Sequence, residues 1–261
     1  MPIIKTDGGY IYKKISKNTK TKKVKFLFLL FLCSVLIFAG CFFVFSKYDV
    51  VGALSLNKYL LFDEVKYYAV SLYNSDEFSN IAEEVNNVKL QDGAGYVLKY
   101  SNKYYLIANI YSTKTDAENV VNNNTNIDAN ILEIKLNKLI ISKSFTNQEI
   151  TCLKNALGLV NRAYEKLYEI CVSLDRGEIL DAEAKQKLQV FKETCQEEKE
   201  SFNHIFQNNF ESIVSRVKIF QSEVISNISM ILISQNTSSD IKYATASIID
   251  SFLLLQKNIT K

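Results

Sequence analysis

From Phe26 to Ser46 the chain runs for twenty-one residues without a charge, FLFLLFLCSVLIFAGCFFVFS. As a helix that run is roughly 30 Å long, the thickness of a bilayer's hydrocarbon core. It lacks the polar face that a helix buried in a soluble core keeps. Lys5, Lys13, Lys14, Lys17, Lys20, Lys22, Lys23 and Lys25 precede it against a lone Asp7, whereas charges of both signs follow it. Lysine collects on the cytoplasmic side of a span. The expected arrangement is a single-pass protein of the cell membrane: a basic cytoplasmic tail (1–25), a transmembrane helix (26–46), a connector (47–64), and carboxy-terminal domains outside the cytoplasm. The chain carries +3 and the tail +7, which leaves −4 for the rest. The basic character therefore belongs to the membrane-proximal tail, and no nucleic-acid partner is expected.

Two other readings of the amino terminus stay open. Phe38-Ala39-Gly40-Cys41 resembles a bacterial lipobox, which would make Cys41 a lipidated first residue; a cleaved signal peptide is the other. Against both, Phe42 to Phe45 carry the apolar run past the cysteine to full span length. Either way the folded part ends up outside.

After the connector the periodicity is that of a small sheet domain. Lys66 to Tyr73 is β-branched and aromatic, which predicts a strand. Asn74-Ser75-Asp76-Glu77 supplies helix-capping chemistry, and Phe78, Ile81, Ala82 and Val85 recur at helical spacing. Gly93-Ala94-Gly95 is a breaker. Tyr96–Tyr100 and Lys103–Tyr111 predict strands joined by a tight turn at Ser101-Asn102. Ser112 to Asp116 caps a second helix with Ala117, Val120 and Val121, and Ile131–Leu136 predicts a last strand. The order βαββαβ implies a four-stranded antiparallel sheet with both helices on one face and the other face open to solvent.

Two stretches carry a family resemblance. Tyr68-Ala69-Val70-Ser71-Leu72-Tyr73, followed by its Ser-Asp-rich cap, resembles the first strand of a SPOR (sporulation-related repeat) domain, which runs approximately "VQxGSF". Lys103-Tyr104-Tyr105-Leu106-Ile107-Ala108-Asn109-Ile110-Tyr111-Ser112-Thr113-Lys114-Thr115-Asp116-Ala117-Glu118 resembles its third strand and second helix, approximately "YRVxxGPFxxxxxAE". The resemblance covers residues 65–138. It implies a domain that binds peptidoglycan glycan strands lacking stem peptides, as at division septa. Ser71 stands where a glutamine is common, Asn109-Ile110 replaces Gly-Pro, and Tyr105 and Ile107 replace basic or polar positions. On this register Ala69, Ser71, Tyr73, Tyr105, Ile107 and Asn109 project from the open face, with Val70, Leu72, Leu106, Ala108 and Ile110 under the helices. Ser71, Tyr73, Tyr105, Ile107 and Asn109 are the candidate glycan-binding residues. Tyrosine is also favoured in strands for its own sake.

From residue 146 to 261 the period becomes helical. Ile150, Leu153, Leu157, Val160, Tyr164, Leu167, Cys171 and Leu174 form an a/d seam, which Asp175-Arg176-Gly177-Glu178 ends with Gly177 as the expected C′ residue. A second helix from near Asp181 carries Leu188 to Ile231 on its apolar face, with a phase slip between Phe202 and Phe210. A third follows from near Asp240. Unbroken, the second helix makes a rod; broken near Asn208, it gives a four-helix bundle. The fold class expected overall is α+β plus all-α: transmembrane helix, sheet domain, then a helical hairpin or bundle.

Catalytic signatures are missing from the sequence. His204 is the sole histidine, which leaves no multi-histidine metal set, and Cys195 lies nine residues from it. The chain has neither a phosphate-binding glycine loop nor a nucleophile elbow. No enzyme activity, cofactor or metal is expected. The SPOR resemblance implies instead a membrane-anchored envelope protein that binds peptidoglycan at a division or sporulation septum and meets other envelope or division proteins through its helical region. The alternative is a structural or assembly protein that uses sheet and helices for protein–protein contact.

Overall fold

The computed structural model describes residues 4–6, 9–11, 58–123, 128–142, 145–209 and 211–259. The chain divides into two units, Met1–Asn57 and Lys58–Lys261. In the first, β1 (Ile4–Thr6) and β2 (Gly9–Ile11) form an antiparallel ribbon inside what the charge pattern presents only as a basic tail. The expected fold class needs correction. Among the described residues no helix is long and apolar enough to cross a membrane; the expected span at 26–46 lies outside them. The described helices are amphipathic, and even the carboxy-terminal one carries Asp240, Lys242, Asp250 and Lys257. The described residues form an α+β fold.

The second unit opens with β3 (Tyr59–Phe62), inside the expected connector. Next come β4 (Val65–Ser75), α1 (Ser79–Ala82), α2 (Val85–Leu90), β5 (Tyr96–Tyr100), β6 (Lys103–Tyr111), α3 (Lys114–Asn123) and β7 (Asn130–Leu136). The expected single first helix is thus two short ones. The βαββαβ order is present, and the sheet runs β5-β6-β4-β7 with every neighbouring pair antiparallel. Ser101 and Asn102 both take positive φ, 48° and 66°, the geometry of a two-residue hairpin whose twist matches its strands. Thr113 caps α3 by accepting the Asp116 N–H at 3.1 Å. A further strand, β8 (Leu139–Ile141), returns antiparallel to β3 as a separate ribbon.

Four helices follow: α4 (Asn147–Asp175), α5 (Asp181–Ile205), α6 (Ser212–Leu232) and α7 (Thr237–Ile259). α4 begins on a capping box in which Thr146 and Glu149 satisfy each other's backbone N–H. It ends at Gly177, whose φ of +70° lets Glu178 N–H reach the Ser173 carbonyl at 2.9 Å. The stretch between Ile205 and Ser212 breaks the long second helix, so the rod does not form. Instead α5 packs on α4 and α6, α6 on α7, and α7 on α4, which is a four-helix bundle.

The sheet and the bundle share one core. α1, α2 and α3 lie on one face of the sheet, over Val70, Leu72, Leu106 and Ala108. The opposite face, expected to be open, is covered by α4 and α7. There Tyr67, Ala69, Leu98, Ile107, Ile110, Ile134 and Leu136 join the same buried cluster as the bundle's interior. Ile110, expected under α1–α3, also belongs to this side. The pairing of β4 with β6 shifts register between Val70 and Ser71 and again between Ser71 and Tyr73, so alternation slips along the strand. α7 is buried around most of its circumference because it packs on the sheet on one side and on α6 on the other.

Candidate functional site

The five residues expected to read a glycan do not form one exposed surface. Ile107 is 0% exposed and packs in the shared core. Ser71 is 1% exposed, and its hydroxyl donates to the Tyr73 carbonyl at 2.9 Å. Tyr105 is half-buried against the same core. Asn109 is half-buried and engaged on both sides of its amide: Oδ1 accepts the Ile110 N–H at 2.8 Å, and Nδ2 donates to the Tyr111 hydroxyl at 3.1 Å. Tyr73 alone stands well out, at 49% exposure. The other four side chains are taken up by this chain's own packing and hydrogen bonds.

The tyrosines of the sheet tie it to the helices. Tyr67 packs with its ring tilted against Tyr164 of α4 (centroids 4.7 Å apart) and donates its hydroxyl to Asn161 at 2.9 Å. Tyr96 packs edge-on against Tyr243 of α7 and donates to the Asp250 carboxylate at 2.7 Å. Burial pushes the hydroxyls of Tyr67, Tyr96 and Tyr164 well above their ordinary titration range, so all three remain neutral donors. Burial also pushes the Asp250 carboxyl up, with the Tyr96 hydrogen bond opposing it. Phe62 of β3 meets Phe252 of α7 at 4.6 Å, and Gln256 bonds both the N–H and the carbonyl of Asn137. Tyr67 and Tyr96 therefore each bury an apolar ring while the polar tip finds a partner.

No family model, curated protein or solved structure matches this chain. The SPOR resemblance therefore rests on the quoted residues alone.

One end of the bundle gathers loops from the whole unit. Lys242 pairs with Asp175 at 2.9 Å and also donates to the Asp92 carbonyl at 2.9 Å. Asn236 donates to the Asp92 carboxylate at 3.2 Å, and Lys185 donates to the Ser234 carbonyl at 2.7 Å. The neighbouring Thr237 side chain, then the Lys185 ammonium 3.0 Å away, hold the Asp181 carboxyl below its ordinary value. Around this network Leu90, Leu180 and Ile233 are 83%, 78% and 85% exposed. Nearby, Cys171 lies 3.8 Å from both the Asp175 carboxylate and the Ser238 hydroxyl. Burial pushes its thiol up to about 11, so it is not a thiolate nucleophile at neutral pH. Among the described residues no group of three or more His, Cys, Asp or Glu is placed to hold a metal ion.

Sequence reasoning overlooked this end because its residues come from loops with no common motif. The signal available was the isolated aliphatic in each polar turn: Leu90 before Gln91-Asp92-Gly93, Leu180 before Asp181, and Ile233 before Ser234-Gln235-Asn236.

Proposed function

We propose that this chain is a non-enzymatic assembly component of a bacterial cell envelope, held at the membrane by its amino-terminal segment and contacting other proteins through its second unit. One observation carries the reading: the sheet face that a glycan strand would lie on is the interior contact between sheet and bundle. A SPOR-like grip on peptidoglycan through Ser71, Tyr105 and Ile107 would require α4 and α7 to leave that face. The loss of the shared core makes such opening costly, since each fully buried large apolar side chain contributes about 1.5–3 kcal/mol. Leu90, Leu180 and Ile233, fixed at one end by charged and amide groups, are the surface we assign to protein contact. The first partner to test is a second copy of the chain.

Light scattering on the purified full chain across a concentration series tests this directly. The expected result is a mass that rises with concentration, and its return to monomer when Leu90, Leu180 and Ile233 are all replaced by serine. A monomer at every concentration, together with retention of the protein on amidase-treated sacculi, would overturn the assembly reading in favour of glycan binding.

A further inference from the structure

A basic cluster also lies within the second unit. A cleft of about 300 Å³ opens between the β5–β6 hairpin, the end of β7 and the last turns of α7, and Lys99, Lys135, Lys138 and Lys257 line it. Lys135 is paired with Glu64 at 2.9 Å, and Lys99 donates to the Tyr104 hydroxyl at 3.1 Å while keeping its charge. Lys138 and Lys257 are exposed, with no ion pair among the described residues. The one lining carboxylate, Asp250, is engaged by the Tyr96 hydroxyl at 2.7 Å. The residues beyond the tail sum to −4, so the positive charge here is a local concentration on an otherwise acidic unit. Such a cluster attracts anions.

The apolar neighbours narrow the choice of anion. Leu254, 53% exposed, lines the same cleft one turn from Lys257, and Leu253 is half-buried beside it. Ile140 of β8 follows Lys138 by two residues, the spacing that puts both on one side of a strand. Leu60 of β3 lies directly opposite Ile140, and the two are 40% and 46% exposed. A free phosphate would meet the lysines and leave these aliphatics in water. The surface of an anionic bilayer offers both partners at once: phosphate at the level of the ammonium groups, and acyl chain just beneath it, within reach of lysine stems and aliphatic side chains. The cleft also lies toward the opposite end of α7 from the network around Ile233. Lys242 and Lys257 are about 22 Å apart along the helix at 1.5 Å per residue. Lipid at one end therefore leaves the protein-contact surface free at the other.

We propose that this cleft docks the second unit on an anionic phospholipid surface, with Lys138 and Lys257 meeting headgroup phosphates and Leu254, Ile140 and Leu60 entering the acyl boundary. This rests on the reading that the amino-terminal segment holds the chain at a membrane, and adds the part of the second unit that meets the lipid.

The test uses the full chain and reads acetylation of individual lysines by N-hydroxysuccinimidyl acetate, site by site, in a mass spectrometer. Three conditions are compared: phosphatidylcholine vesicles, the same vesicles with about one-third phosphatidylglycerol, and phosphatidylcholine vesicles with millimolar glycerol phosphate. Only the phosphatidylglycerol vesicles should slow Lys138 and Lys257, about fivefold for a surface occupied about four-fifths of the time, while Lys192 of α5 reacts alike in all three. Molar salt should restore the rate, because it shortens the screening length to about 3 Å. Each lysine near an anionic surface is worth about fivefold in affinity, so Lys257→Glu should abolish the protection of Lys138. The proposal fails if phosphatidylglycerol leaves both lysines as reactive as phosphatidylcholine does, if glycerol phosphate protects them equally, or if Lys138 stays protected in Lys257→Glu. Protection in phosphatidylcholine vesicles that grows with protein density would also overturn it, in favour of a protein partner at this cleft. Flotation with phosphatidylcholine vesicles tests the amino-terminal attachment by itself, so the two readings fail by different measurements.

Discussion

Replacing Phe252 by alanine probes whether sheet and bundle are one folding unit. Phe252 is fully buried in α7, between Phe62 of the β3 ribbon (4.6 Å) and Phe220 of α6 (5.3 Å). Truncation removes on the order of 100 Å² of buried apolar surface, about 2.5 kcal/mol at the usual coefficient. The space left behind, on the order of 70 Å³ at about 24 cal/mol per Å³, adds about 1.7 kcal/mol. The sum, about 4 kcal/mol, sits inside the range measured for buried Phe→Ala changes. For a unit of this size each kcal/mol lowers Tm by about 2–4 °C, so the melt should fall by about 8–16 °C. Calorimetry gives the shift, and amide hydrogen exchange gives its distribution. Protection should fall together in β4–β7 and in α4–α7, because one core spans both. If the sheet amides keep native protection while the bundle amides lose theirs, the two halves are independent domains and the reasoning from a shared core is wrong.

Three further outcomes follow from particular contacts. Asp250 has its carboxyl raised above the ordinary 3.8 by burial; a raised folded value means its contribution is full below the unfolded pKa and is lost as pH rises through the folded one. Asp250→Asn should therefore flatten the pH dependence and gain stability at pH 7 relative to pH 4, read from Tm at the two pH values; an unchanged slope would count against burial as the cause. Of the described thiols, Cys152 should alkylate in the native protein, whereas Cys171 and Cys195, pushed up to about 11 and about 12 by burial, should react only in urea, as peptide mass mapping will show. Thr146→Ala removes the capping box of α4 and should cost about 1 kcal/mol, seen as a lower urea midpoint with an unchanged m-value.

The contacts between sheet and helices were hard to read from the chain because both faces of the sheet are buried. Along β4, Tyr67 and Ala69 lie on the bundle side and Tyr68, Val70 and Leu72 on the side of α1–α3, and neither set is charged. A strand with one wet face alternates polar with apolar; one covered on both faces does not. That absence of a polar face was the available sign that helices cover both sides. The tyrosines obscured it, since a ring with a hydroxyl suits a sugar, a strand and a buried hydrogen bond equally well. Tyr67 and Tyr96 turned out to be the third kind, and their partners Asn161 and Asp250 lie 94 and 154 residues away.

Periodicity and turn chemistry by themselves determined the βαββαβ order, the Ser101-Asn102 hairpin, the stop at Gly177 and the apolar seams of α4, α6 and α7. These are local properties: a period of two or 3.6 and a residue that tolerates positive φ are written within a few positions of where they act. Only the tertiary structure decided that the long second helix breaks into α5 and α6, that β3 leaves the connector to pair with β8, and that α7 is shared between sheet and bundle. Which apolar face meets which is a matter of shape and of hydrogen-bond partners far apart in the chain, and hydrophobic burial has no direction of its own. The expected open face was apolar on one side of a strand, and it closed because α4 and α7 had apolar faces left to bury.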